Sequence, residues 1–209
     1  MYVISRGWGK EFEFFMNEII DDHFWYVFFN FVFWHGCRIG EQRALKISDI
    51  DFENDIIHFH KTFSKTENGG EKLGPIKNNK ERYIFLAEQS KQLLLSLINK
   101  YKQMDNYSDD WFLFGGPLST NKNRIERKIN KYYDDLIAKY PDKNINRLKH
   151  HEFGRHSHAS YLLNKGMGRI DIYEIIAQRL GDTVEVVRTT YAHPYEDENN
   201  QKTKEILKL

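Results

Sequence analysis

The chain has 209 residues, 40% apolar and 29% charged, with a net charge of +1 and one cysteine. A lone Cys37 excludes a disulfide framework and points to a reducing compartment, read here as the cytoplasm. The opening "MYVISRGWGKEF" has no apolar h-region, so no signal peptide is read, and the apolar run 24–34 falls short of the about 20 residues that span a bilayer.

Helical periodicity dominates the chain. Residues 9–20 and 23–34 are expected to form two helices joined at Asp21-Asp22, the second apolar on every side and therefore buried. Residues 40–47 form a short helix after a turn at Gly36. The period then changes: 55–63 reads as a strand, 67–81 as a Gly, Asn and Lys-rich loop or hairpin turn, and 82–87 as a strand. Residues 88–104 form an amphipathic helix, and 111–117 an apolar piece stopped by Gly-Gly-Pro. Thr120 is expected to cap a helix over 121–140. Helices at 150–164, 171–181 and 183–191 complete the chain, and 192–209 reads as a polar tail. The fold class is mainly α with a small antiparallel β-insertion, organised as a single domain over 1–209.

Charge is unevenly placed. Residues 61–100 hold eight Lys or Arg against four Asp or Glu, and residues 121–155 hold ten against five. Two basic blocks on a nearly neutral chain offer a local positive face for a polyanion. Four segments concentrate chemistry. "HGCRIGEQRALKISDIDF" (35–52) puts Arg38 at a helix start inside a Gly-x-Arg-x-Gly-Glu turn. "PIKNNKERYIFL" (75–86) carries Lys77, one of several loop lysines with Lys72 and Lys80. "HHEFGRHSHASYLL" (150–163) carries His151, Arg155 and His158. "RLGDTVEVVRTTYAH" (179–193) carries Asp182, Tyr191 and His193.

These four segments, in this order, resemble the catalytic domain of the tyrosine recombinase (phage integrase) family, and in particular the integrases of mobile elements. The resemblance covers roughly residues 9–195. It implies a fold like that catalytic domain and a site-specific recombinase that cuts and rejoins double-stranded DNA at an attachment site. Tyr191 is then the nucleophile, forming a 3′-phosphotyrosyl link that conserves the bond for rejoining. Arg38 and Arg155 clamp the non-bridging oxygens with permanently charged, planar donors. Lys77 is the general acid for the leaving 5′-oxygen, and His151 is the base or a phosphate contact. Asp182, His158 and His193 are supporting residues. The resemblance implies no cofactor and no metal, a monomer in solution that assembles into a tetramer on DNA, and no membrane partner. It also implies that amino-terminal core-binding and arm-binding domains are absent here, leaving the catalytic region and its tail at 192–209.

The chain departs from the family pattern twice. The usual His-x-x-Arg box is stretched, since His151 and Arg155 are four apart and Gly154 looks inserted. Either a glycine bulge absorbs the extra residue or the insertion turns Arg155 by about 100° relative to His151. At Asp182 many relatives carry histidine; an ionised carboxylate repels a phosphodiester unless it pairs with a cation, so this corner is expected to orient a neighbour such as Arg155 or His158. These departures motivate a second reading, a DNA-binding remnant that no longer cuts. A type IB topoisomerase, which shares the chemistry, is a third.

Overall fold

The computed structural model describes residues 8–76, 80–166 and 169–191. Its centre is α2 (His23–His35), nine of whose 13 residues are buried, including Trp25, Phe28, Phe29, Phe31 and Val32. A helix apolar all round needs neighbours all round. They are α1 (Trp8–Glu18), α4 (Glu88–Tyr101), α6 (Ser157–Lys165) and the segment Glu152–His156. Phe15, Phe28, Phe29, Phe114 and Phe153 meet in tilted and edge-on ring contacts at 4.6–5.6 Å. The aromatic richness of the sequence is therefore spent on one core around α2.

Between α3 (Ile39–Ala44) and α4 the chain builds two small sheets. Strands β1 (Ile50–Asp51), β2 (Ile56–Phe59) and β5 (Arg82–Phe85) form an antiparallel sheet in the order β1-β2-β5. Strands β3 (Lys61–Lys65) and β4 (Glu71–Pro75) form a separate antiparallel hairpin. The strand expected over 55–63 is thus two strands of different sheets, broken at His60. Part of the expected loop 67–81 is β4, whose polar sequence "EKLGP" gives no strand signal and is held by pairing with β3. Arg43 ties the hairpin to α3, donating to both carboxylate oxygens of Glu71 at 2.8 Å.

Helix α5 (Lys122–Lys139) starts one residue later than Thr120 suggested: Asn121 is the cap, its side chain accepting from the backbone N–H of Asn123, while the Thr120 hydroxyl donates to Phe114 O. Helices α6, α7 (Ile172–Leu180) and α8 (Val184–Tyr191) pack around a second cluster of Ala159, Leu163, Ile176, Leu180, Val187 and Tyr191. No helix of the described residues is long and apolar enough to cross a membrane.

Candidate active site

Arg38 is placed by the end of one helix and the start of another. α2 stops at Gly36, whose φ of +62° is left-handed; a side chain there is strained and would strike Leu180 and His158. The chain then extends through Cys37, and Arg38 caps α3. Its backbone N–H donates to Glu41 Oε2 and its Nη1 to Glu41 Oε1, both at 3.0 Å. Glu41 is almost fully buried and also accepts from Arg82 at 2.7 and 3.2 Å. Burial works against its charge, yet Arg82 and Arg38 together hold its carboxyl below the ordinary glutamate range.

Arg155 is placed by the inserted residue. Glu152–His156 is a π-helical turn in which the Ser157 N–H reaches back to Glu152 O, five residues earlier. This wide turn absorbs the extra residue, as a π-bulge does when one residue enters an α-helix. Glycine suits this position, because a Cβ on Gly154 would lie 2.3 Å from Val32 Cγ2 of α2 and force a shift. Arg38, His151 and Arg155 therefore line one cavity of about 690 Å³, together with Lys122, Arg147 and Lys149.

The two arginines meet at one carboxylate. Arg38 Nη2 donates to Asp182 Oδ1 at 2.7 Å, and Arg155 Nη2 donates to Asp182 Oδ2. Arg155 Nη1 also donates to Leu180 O at 2.8 Å. Asp182 follows the left-handed Gly181 that ends α7, and its N–H returns to Ala177 O. Of the two neighbours the sequence offers for Asp182, the structure selects Arg155 and adds Arg38.

Tyr191 closes α8 within the second apolar cluster and is 4% exposed. Its hydroxyl lies 3.0 Å from Nδ1 of His156. Burial pushes the Tyr191 phenol up to about 12; the Arg155 charge opposes this and the Asp182 charge adds to it. His156 is held below the ordinary histidine range, first by burial and then by His151. A neutral imidazole beside a protonated phenol is arranged to receive its proton. The sequence motifs do not single out His156. The signal available is its position directly after Arg155, one residue along the same turn. His151 is exposed in the cavity, its ring 5.4 Å from that of His156, and the tyrosine hydroxyl bonds to His156 rather than to it.

His158 lies elsewhere in the network. It is 2% exposed and accepts from Arg179 Nε at 2.8 Å, while Arg179 donates to Trp34 O and Phe85 O. Burial, then the nearby Arg179, keeps His158 well below the ordinary histidine range. Through Arg179 of α7, His158 of α6 is linked to α2 and β5. Lys77 and His193 lie outside the described residues, as does the tail at 192–209.

A sequence model of the phage integrase family matches residues 11–197. The chain belongs to the phage integrase family. Among curated members, the ICEBs1 integrase of Bacillus subtilis (strain 168) is 27% identical over 205 residues, covering 92% of this chain and 51% of that protein. The transposase from transposon Tn916 of Enterococcus faecalis is 28% identical over 141 residues, covering 63% of this chain and 34% of that protein. This integrase-family chain thus spans between a third and a half of the length of these relatives. Among solved structures, the Tn1549 transposon integrase in complex with circular intermediate DNA superposes with a TM-score of 0.72 at 18% identity, covering 98% of this chain and 67% of that one. The XerA recombinase does so with a TM-score of 0.65 at 23% identity, covering 97% and 65%. The fold is that of the tyrosine recombinase catalytic domain.

Proposed function

We propose that this chain is the catalytic region of a site-specific recombinase that cleaves and rejoins double-stranded DNA through Tyr191. The observation that carries the reading is the convergence of Arg38 and Arg155, distant in sequence, on a single anion beside the Tyr191–His156 pair. In the reaction the Tyr191 oxygen bonds to the scissile phosphorus and the bond from phosphorus to the 5′-oxygen breaks. The tyrosine proton passes to His156. The 5′-oxygen takes a proton from Lys77 and leaves as a hydroxyl. Charge gathers on the non-bridging oxygens, where two guanidiniums lower the barrier; losing one such donor typically costs about 3–4 kcal/mol.

Asp182 fits this scheme as a stand-in for the phosphate. Its two oxygens engage the two guanidiniums, as two non-bridging phosphate oxygens would. It keeps the arginines paired before DNA arrives and raises the cost of ionising Tyr191. The incoming phosphate displaces it and takes over both guanidiniums. The π-turn supports an active enzyme over a remnant, because it accommodates the stretched His–Arg spacing without turning Arg155 away from the cavity.

The attachment-site duplex lies along the cavity rim, where Lys122, Arg147 and Lys149 meet its phosphates. By the family's pattern the protein is a cytoplasmic, nucleoid-associated monomer that assembles as a tetramer on DNA. The test is covalent trapping on a nicked suicide duplex of the attachment site. A protein–DNA adduct on a denaturing gel, reduced about a hundredfold or more by Arg38→Lys and by Arg155→Lys, is the expected result. An adduct indifferent to both substitutions would remove the arginine pair from the chemistry.

A further inference from the structure

Outside the active-site cavity, among the described residues, one cluster has metal-ligating side chains within reach of one another: His58, His60 and Glu81. We propose that these three residues bind one transition-metal dication, with Zn²⁺ the best fit.

The backbone brings them together. His58 lies in β2 and His60 directly follows the strand's last residue, Phe59. Their rings stack at 4.4 Å with planes 14° apart. β2 pairs with β5 in the register His58↔Tyr83 and Phe59↔Arg82, so one step further sets Glu81 opposite His60. A Glu81 oxygen lies 2.9 Å from His58 Nε2, and one potential ligand atom from each residue falls within 4.8 Å of the other two. Small rotations of three partly exposed side chains close this set onto one ion.

The surroundings also suit a metal. The Tyr83 ring stacks on His58 at 4.1 Å and fixes its plane. His60 Nε2 bonds at 2.9 Å to Asp49, a largely buried carboxylate held by Lys61 and the Lys46 N–H. A carboxylate on one ring nitrogen orients the other toward a metal and raises its basicity. Two imidazoles and one carboxylate, with water in the fourth position, form a common tetrahedral zinc set. Imidazole donors select zinc, nickel or copper over magnesium and calcium, which prefer oxygen.

Binding would have a consequence for the chemistry. Glu81 stands four residues after Lys77, and Arg82 beside it is anchored on Glu41. An ion joining Glu81 to β2 fixes the entry to β5, four residues after Lys77 in the sequence. This consequence rests on the recombinase reading; the metal site does not.

The experiment is calorimetric titration of EDTA-treated, dialysed protein with ZnCl₂ at pH 7.5, on the parent, Glu81→Gln and His60→Gln. Glu81→Gln keeps shape at an exposed position, so it tests the site even if His60→Gln, which loses the Asp49 contact, fails to fold. One equivalent should bind saturably, with excess MgCl₂ not competing and each variant weakening binding at least about tenfold. No saturable binding, or equal binding by the variants, overturns the site. With the site established, zinc should change the yield of covalent adduct from the parent and leave Glu81→Gln unaffected; an equal change in both overturns the coupling to the loop and leaves the site standing.

Discussion

Replacing Asp182 by asparagine keeps the shape of the side chain and removes its charge. In the free protein this weakens two charge-assisted contacts, from Arg38 Nη2 at 2.7 Å and from Arg155 Nη2. Hydrogen bonds to charged groups contribute about 1.5–3 kcal/mol each. The Arg38 side chain is 38% exposed, so solvent screens its share; Arg155, at 12% exposed, is screened less. Arg38 keeps Glu41 and Arg155 keeps the Leu180 carbonyl in the variant. The expected loss of stability is therefore about 1–3 kcal/mol in urea unfolding. The same carboxylate competes with the phosphate for both guanidiniums, so removing it returns a similar free energy to DNA binding. Affinity for an uncleavable attachment-site duplex, measured by fluorescence anisotropy at low salt with Tyr191→Phe as the common background, should rise roughly 5- to 150-fold. Stability and affinity would move in opposite directions. If both fall together, Asp182 is a brace for the fold and the phosphate-mimic argument is wrong.

Other outcomes rest on the same geometry. Gly154→Ala should cost about 1–3 kcal/mol by overpacking against Val32, visible in thermal unfolding. Deleting Gly154 should abolish the adduct rather than improve it, since closing the π-turn rotates Arg155 by about 100°. His156→Ala should slow adduct formation by about a hundredfold or more, and His151→Ala by less; the reverse order in single-turnover trapping would return the base to His151. Three buried histidines set the acid limit. Burial lowers His35 and His150 to about 3 and His158 well below its ordinary value. The unfolded chain binds protons at these sites below about pH 6.5 and the folded chain does not. Their contribution to stability is therefore intact above pH 6.5 and is lost as pH falls toward 3, with a slope of up to about 1.4 kcal/mol per pH unit per histidine. Urea midpoints flat between pH 7 and pH 5 would contradict this.

Much of the architecture is readable because it depends on period. The all-round apolar α2 and the amphipathic α4 and α5 lie within a few residues of the expected ranges. The unreadable parts depend on pairing between distant segments. β4 is polar and becomes a strand only because β3 is beside it, and β2 and β3 look continuous until the sheets diverge at His60. At the candidate site, order and spacing pick out Arg38, Arg155 and Tyr191, and the structure brings both arginines to Asp182 and Tyr191 to His156. The stretched His–Arg box is not legible, because a glycine insertion reads equally as a bulge or a rotation until α2 is known to pack on it. His156 escapes notice because proximity to Tyr191 is a property of how α8 folds back. Asp182 is legible as a cation's partner, though not as the partner of both arginines, since that requires α7 to end between them.

The central claim is that Tyr191 is the nucleophile at a phosphate held by Arg38 and Arg155. The most direct measurement is to trap the protein on a suicide duplex labelled on the strand segment 5′ of the scissile phosphate, digest the adduct, and map the modified residue by mass spectrometry. A 3′-phosphate ester on Tyr191, absent in Tyr191→Phe, is the predicted result. An adduct on another residue, or one that survives in Tyr191→Phe, would contradict the account.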